Sequence, residues 1–590
     1  MSRRDVVLAG LLSAILAVWL VPFARTGVDP HHDGIMLKPA LDVLSGQTLF
    51  RDTFSQYGAL TCYLQVAALL IKPTLLSLKL MTVAVYAGTL FVLSASWRLI
   101  LPRSLTLVSC GLFMLFLPGY ERNWTGGPWI MLPWSSALAL FFQALALHAL
   151  IRVIRDEQAS RWGLLLGVAC AASFWCRQPV GVFTTGAVIL VGAILPLTGW
   201  KPARHSPRAI LSWTAGGLMA VNGLLLGGIW LSGALDAWWY QNFIWPRKWA
   251  LDTGSGDWWV FFRDSLDARR AVLLLALGVA LCGPMLVRRI STKVSARVLA
   301  PYYLLLAALG WWQWARLAPV LALREGGWAL LFPAIVVVQA MASLAQGIAA
   351  RSTARPVEFY IVAAMAAVAL GSLTQYYPVP DAWHIFWSLA PAFGLCVYAI
   401  WRWSGAPAGA VTLVMAAALG LSVQFKIRAM RDFVTQPYIT LESPAVLRGM
   451  RVTPADAAMF GHIMRVVGPV LEHQPDIPVA LDGLNALYLC FANNRVNPSP
   501  YFVTWPGLGT EPASRARTEF IQRFRPLMFF QRAEWPAVNE FYRRARYVPL
   551  LYLPESALEI AVPQELADAM NMKVYGANPS SAPDPEKPKP

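Results

Sequence analysis

The chain has 590 residues, of which 57% are hydrophobic and 14% charged, against about 25% charged in an ordinary soluble domain. A mean hydropathy of +0.50 over this length excludes a single water-soluble core and calls for many apolar segments of spanning length, roughly 20 residues each. The formal net charge of +17 does not indicate a nucleic-acid partner: Lys and Arg fall in short runs between apolar segments, and no soluble stretch interleaves basic and stacking aromatic residues.

The N-terminus, Met1-Ser2-Arg3-Arg4, precedes an apolar run from Val6 to Phe23. No small-residue cleavage site follows cleanly and further spans come after it, so this run reads as a retained first helix. Spanning helices are expected at about 6–23, 75–99, 104–118, 131–151, 162–176, 180–198, 209–231, 270–287, 298–315, 328–348, 357–375, 384–401 and 408–424, about thirteen in all. Basic loops mark one side: Arg98 and Arg103; Arg152, Arg155 and Arg161; Lys201, Arg204 and Arg208; Arg288, Arg289, Lys293 and Arg297; Arg351 and Arg355; Arg402. With the N-terminus inside, all of them are cytoplasmic. Ala59 to Ile71 is too short for a comfortable span and, on charge bias, is interfacial or half-inserted. Segments 24–74, 119–130, 232–269 and 376–383 then face outside. The third carries Trp238, Trp239, Trp245, Trp249, Trp258 and Trp259, which read as an aromatic belt at the headgroup level.

After about residue 425 the pattern changes. Met459–Gln474 has helical periodicity, Ile477–Leu481, Leu527–Phe530 and Val548–Leu553 are β-rich runs, and Trp535–Arg546 is helical. The expected architecture is an α-helical polytopic membrane domain over 1–424, a small extracytoplasmic α/β domain over 425–577, and a Pro-rich tail over 578–590 too poor in apolar residues to order itself. Of seven cysteines only Cys490 lies in the hydrophilic part; Cys62, Cys110, Cys170, Cys176, Cys282 and Cys396 sit in or beside apolar segments. A disulfide framework is therefore excluded for that part. No zinc-ligand spacing occurs, no cofactor is indicated, and participation of a divalent metal stays open.

The first outer loop is the richest in chemistry. It reads Val28-Asp29-Pro30-His31-His32-Asp33-Gly34, followed by Ile35–Leu44 as a short amphipathic helix lying in the interface, then Ser45–Asp52 and Ser55–Leu60. A carboxylate at the membrane surface can take a proton from an acceptor hydroxyl that meets a lipid-borne donor there.

This arrangement resembles the C-type glycosyltransferases, the class of the protein O-mannosyltransferases and the lipid A aminoarabinose transferase, and most nearly the bacterial branch related to the rhizobial lipopolysaccharide sugar transferases. Asp33 matches the acidic residue that this class carries after its first membrane helix; His31 and His32 stand where many members have a further acid. "SGQTLFRDTFSQYGAL", which includes Arg51, is similar to the family's G-x-x-x-Y-R-D…G-P-L stretch, with Phe50 in place of Tyr and Ala59 in place of Pro. Phe174-Trp175-Cys176-Arg177-Gln178 and Gln375-Tyr376-Tyr377-Pro378-Val379-Pro380-Asp381-Ala382-Trp383-His384 fit two further patches, the second like a Y-P-x-P-D-x-x-H motif. The resemblance implies an inverting transferase in the cytoplasmic (inner) membrane. Its donor would be a polyprenyl-phosphate sugar and its acceptor an envelope glycan, lipid or protein. Asp33 would act as base, Arg177 and His384 would hold the donor phosphate, and His31, His32, Arg51, Gln178 and Asp381 would support them.

Each patch also has a plainer reading. Asp33 suits a helix N-cap, Arg177 an interfacial anchor with its head in water, and Asp381 with His384 a helix cap and its ion pair. From other classes, a transporter or flippase of lipid-linked sugars needs charges inside helices, for which Lys79 and Arg316 are the candidates. A glycan polymerase or ligase would use the same kind of donor.

Overall fold

A computed structural model describes residues 2–117, 131–155, 157–197, 200, 206–252, 357–376, 382–404, 407–483, 485–492, 519–531, 545–553, 556 and 558–572. The expected spans at 270–287, 298–315 and 328–348, the proposed helix from 535 to 544, Arg316, Asp381 and the tail lie outside the described residues. The helices are α1 Arg3–Ala24, α2 His32–Leu44, α3 Ala59–Ile71, α4 Leu75–Trp97, α5 Arg103–Phe116, α6 Ser135–Ile154, α7 Ala159–Cys176, α8 Gln178–Leu197, α9 Pro207–Leu231, α10 Leu235–Trp239 and α11 Trp245–Asp252. Then come α12 Val357–Ser372, α13 Ala382–Leu389, α14 Phe393–Ser404, α15 Ala408–Thr435, α16 Pro454–His473 and α17 Gln564–Ala569. Among the described residues, seven helices are long and apolar enough to cross a membrane; the architecture is that of a polytopic membrane protein with a small sheet region. The chain forms two units: residues 1–27, 56–65 and 78–437, and residues 28–55, 66–77 and 438–590.

In the first unit, α6, α12, α13 and α14 form the centre and are mostly buried, whereas α9 presents Leu211, Met219, Leu224 and Leu231 on its surface. Such a face is an apolar surface that water cannot cover cheaply. α7 lies directly on α9 because Gly167 and Gly217 let the backbones touch; a Cβ on Gly167 would come within 1.9 Å of the Thr214 carbonyl oxygen. The polar side chains inside the bundle are joined across helices. Gln143 Nε2 donates to Thr184 Oγ1 at 3.0 Å, and Ser372 Oγ donates to Gln143 Oε1 at 2.9 Å, linking α6, α8 and α12. Lys79, fully buried in α4, donates to the Gly27 carbonyl at 3.0 Å. It thus serves as a tie between the end of α1 and the start of α4.

Contacts inside this unit sort the helix ends into two sets. Asp5, in the Ser2-capped first turn of α1, pairs with Arg103 at 2.6 Å and Arg98 at 3.3 Å. Thr412 at the start of α15 meets Ser104 at 2.9 Å, and Arg402 at the end of α14 pairs with Glu358 at the start of α12 at 2.7 Å. At the opposite end, Phe23 stacks on Phe433 at 4.8 Å. The chain therefore enters and leaves the bundle at opposite ends. Thr61 and Gln65 of α3 bond the Cys176 and Pro133 carbonyls at that second end, where Lys79 also lies. With 13 residues, α3 is about 20 Å long, short of a hydrocarbon core about 30 Å thick. Trp238 and Trp245, expected in a belt, are instead buried in this unit, Trp238 stacking on Trp175 at 5.4 Å; Trp239 is exposed.

The second unit is built on a four-stranded sheet. Its strands are β3 Val479–Asp482, β4 Leu527–Gln531, β5 Tyr547–Leu553 and β6 Leu558–Pro563, after a two-residue ribbon of β1 Ile439–Thr440 and β2 Arg451–Val452. The order is β3-β4-β6-β5; β3 runs parallel to β4, with Leu481 opposite Phe529, and the other pairs are antiparallel. Three strands match the β-rich runs of the sequence. β6 does not, because all six of its residues are buried, Glu559 included, and no alternation marks it. One face of the sheet packs Phe520, Ile521, Met528, Phe530 and Tyr547. On Phe529 lies Tyr488, stacked at 5.6 Å, from the 3₁₀ segment Ala486–Ala492.

That segment also carries α2. Leu487 N–H donates to the Pro30 carbonyl at 3.0 Å, and a Cβ on Gly34 would sit 2.1 Å from Leu487 N. The expectation of an interfacial helix starting at Ile35 is thereby corrected. α2 starts at His32, and residues Asp33 to Asp42 are all buried. Inside, Lys38 pairs with Asp42, which also accepts from Thr53 Oγ1 at 2.7 Å. Nearby, burial pushes the Cys490 thiol up to about 12.

Because the atom that Gly34 would strike is backbone, Gly34→Ala should destabilise the second unit by about 3 kcal/mol. Gly461→Ala, in α16 with open space around its Cβ position, should be neutral or stabilising by about 0.5–1 kcal/mol. Thermal denaturation of the two detergent-purified variants checks both; equal midpoints would show that α2 is not held against Leu487.

Candidate functional site

The predicted site residues divide between the two units. In the second, Asp29 organises the start of α2. Its Oδ1 accepts from the His31 and His32 amides at 2.9 and 2.8 Å, and its Oδ2 lies 2.9 Å from His32 Nδ1. Asp33 is fully buried, and its Oδ2 accepts the Asp29 amide at 2.9 Å. The Asp29 carboxylate thus caps the His31 and His32 amides while Asp33 holds the Asp29 amide, tying the loop to the first turn. Asp33 is therefore not the N-cap itself, a position that His31 occupies without a side-chain cap; Asp29 does the capping. Burial alone would raise the Asp29 carboxyl, but the His32 ring and amide outweigh it and hold the group well below the usual carboxylate range. The His31 and His32 rings meet edge to face at 4.6 Å. Arg51 is about half-exposed. It grips its neighbour Asp52 with two bonds of 2.9 Å and reaches Thr48 Oγ1 at 2.9 Å, closing the turn after α2.

In the first unit, Arg177 is the single extended residue between α7 and α8, with φ −147° and ψ 108°. The loop before α3 is stitched to it: Gly58 N–H donates to the Cys176 carbonyl at 3.2 Å, and a Cβ on Gly58 would lie 2.0 Å from the Trp175 carbonyl oxygen. This close approach delivers Tyr57 to the neighbourhood of Arg177. Although burial is the largest influence and raises the Tyr57 phenol, the Arg177 charge pulls the other way.

The Arg177 guanidinium donates to Ser136 Oγ in the first turn of α6, and its Cζ lies 6.0 Å from the Trp387 ring centre. His384 is buried; its ring is 5.1 Å from Trp387 and 5.5 Å from Trp134. Trp134 donates to Tyr57 Oη at 2.5 Å, and Trp387 to Tyr86 Oη at 3.0 Å. Arg177 and His384, distant in sequence, thus meet at one indole. Gln178 bonds Asn242 instead. Asp381 lies outside the described residues, so its predicted pairing with His384 does too. Ser136, Tyr57, Trp134 and Trp387 were not singled out by the sequence; "QYG" ahead of α3 and Trp134 at the start of α6 were the available signals. Among the described residues, no group of three or more His, Cys, Asp or Glu is placed to hold a metal ion.

Asp29→Ala should cost about 1–2 kcal/mol of stability through loss of the helix start. A carboxyl held low when folded contributes stability at neutral pH that is lost as pH falls below about 4. Acid titration of unfolding midpoints should therefore be flatter for Asp29→Asn than for the parent; parallel profiles would show that the pairing with His32 does not hold the group down.

No protein-family model matches the chain, and no curated protein matches it. Among solved structures it is similar to the archaeal oligosaccharyltransferase AglB from Archaeoglobus fulgidus in complex with an inhibitory peptide and a dolichol-phosphate, at 12% identity over 95% of this chain and 74% of that one. The TM-score of 0.43 is too low to establish a shared fold.

Proposed function

We propose that the protein is a membrane glycosyltransferase that moves a sugar from a polyprenyl-phosphate donor to an envelope glycan, lipid or protein acceptor, at the extracytoplasmic face of the cytoplasmic membrane. The observation that carries this reading is the placement of Arg177. Its guanidinium sits on the first turn of α6, beside His384 and two indoles, at the end of the bundle opposite Asp5, Arg98 and Arg103. A phosphate there would meet a guanidinium fork and the positive end of a helix dipole together. The leaving group, a phosphate monoester with a second pKa near 6, needs little protonation and mainly needs such charge compensation.

Asp33 is the proposed base. The acceptor oxygen forms its bond to the anomeric carbon as the carbon–phosphate-oxygen bond breaks on the opposite face; the hydroxyl proton passes to the carboxylate and the electron pair leaves with the phosphate. Asp29 suits this less well. It already accepts from two amides and faces the His32 ring, and a carboxylate held that far down is a weak base. His31, His32, Arg51 and Gln178 support the loop and the helix break, and Asp381 would orient His384. Of the two charges that a transport reading would use, Lys79 donates to the Gly27 carbonyl, and Arg316 lies outside the described residues.

Asp33→Asn retains an oxygen for the Asp29 amide but takes no proton, so transfer from a polyprenyl-phosphate sugar should fall by about 10²–10⁴-fold with the thermal midpoint nearly unchanged. Near-parental transfer would rule Asp33 out as base. Arg177→Ala should lower turnover by about 10²–10³-fold, and Arg177→Lys should recover part of it; unaltered donor kinetics in Arg177→Ala would leave Arg177 a membrane anchor. Mass spectrometry of envelope glycans with and without the gene tests the activity itself.

A further inference from the structure

At the end of the first unit away from Arg177, the turn from Arg98 to Pro102, the end of α6, the start of α12 and the end of α14 enclose a cavity of about 680 Å³. Its charged lining is Arg98, Arg155, Arg402 and Glu358, three guanidiniums against one carboxylate. The protein's own acceptors use only a minority of their N–H groups. Arg98 reaches Asp5 at 3.3 Å and the Leu101 carbonyl at 2.9 Å; Arg155 reaches Glu157 at 2.9 Å; Arg402 reaches Glu358 at 2.7 Å and Tyr398 Oη at 3.3 Å. A guanidinium has five N–H bonds to give, so each retains donors for a ligand. Arg402 is also held against Trp401, with Cζ 4.9 Å from the ring centre, which fixes the plane of its fork.

We infer that this cavity binds a phosphate-bearing anion, supplied by the headgroup of an anionic membrane lipid. Several convergent guanidinium forks match a multi-oxygen anion better than a single-point acceptor. The volume is that of an ordinary small-ligand site. The position, at the ends of spanning helices, is the level at which lipid headgroups lie, and basic pockets there select anionic lipids. The three arginines stand at the ends of three helices, so one bound headgroup would hold the ends of α4, α6 and α14 together. This site is distinct from the proposed transferase site and does not depend on that activity.

The test uses the full-length protein in nanodiscs of phosphatidylcholine alone or with phosphatidylglycerol, read by native mass spectrometry of retained lipid and by thermal midpoint. The parent should retain phosphatidylglycerol and gain stability from it. Removing two arginines should weaken retention roughly thirty-fold, about five-fold for each, in Arg155→Gln/Arg402→Gln. Arg448→Gln, an exposed arginine of the second unit, should behave as the parent. If the double variant does not fold, Arg155→Gln alone, which among the described residues gives up the ion pair with Glu157, should show the five-fold step. Inorganic phosphate added to phosphatidylcholine discs identifies the source. No effect assigns the lipid headgroup, whereas stabilisation that the double variant loses assigns a soluble phosphate to the same cavity. Equal retention of both lipids by the parent with no effect of phosphate, or undiminished phosphatidylglycerol retention in the arginine variants, overturns the inference.

Discussion

Hydrocarbon does not tolerate an unpaired charge or an unsatisfied backbone group, and the first unit is arranged around that constraint. Inside the bundle many hydroxyls bond the carbonyl one turn back in their own helix, and the Gln143–Thr184–Ser372 chain joins three helices. Lys79, the charge buried deepest, is spent on a carbonyl at a chain exit. Guanidiniums are left at the helix ends, where two distinct environments result. One is the ion-paired group around Asp5, Arg98 and Arg103; the other is Arg177, set among Trp387, Trp134 and His384. At the second of these a guanidinium fork, two indoles and the start of α6 converge, which makes it the candidate for an incoming phosphate.

The second unit answers a different constraint. It buries an ion pair and a cysteine in its own core. It does so by layering: sheet, then the Ala486–Ala492 segment, then α2. The Lys38–Asp42 pair lies within that last layer with Thr53 as third partner. A buried pair of this kind gives little net stability but makes the loss of either partner expensive. The loop bearing Asp29 and Asp33 is fixed by the packing of α2 against Ala486–Ala492.

Long apolar runs were legible in the sequence because span length is set by bilayer thickness: α1, α4 to α9, α12 and α15 fall on expected segments, and the expected segment 384–401 holds α13 and α14. The sign of the loops was legible for a related reason: Arg98, Arg155 and Arg402, read as one-sided from charge bias alone, line one cavity. Arg177 and His384 were found through motif order, but their meeting at Trp387 was not, since it joins residues some two hundred positions apart. α2 was misjudged because thirteen residues with a charged pair look amphipathic until the layer that covers them, encoded over four hundred residues later, is known. β6 escaped because a strand buried on both faces carries no period-two signal, and Glu559 in its middle reads as surface.

The dependence of α2 on Ala486–Ala492 also imposes an order in time. Residue 34 is made some four hundred and fifty positions before residue 487, an interval on the order of tens of seconds at ordinary rates of synthesis. Throughout it, α2 has no sheet to lie on. Lys38 and Asp42 can spend that interval hydrated, whereas an all-apolar helix of the same length would sink into the bilayer and stay there. A helix that carries two charges costs less to leave hydrated over that interval than an all-apolar one of the same length.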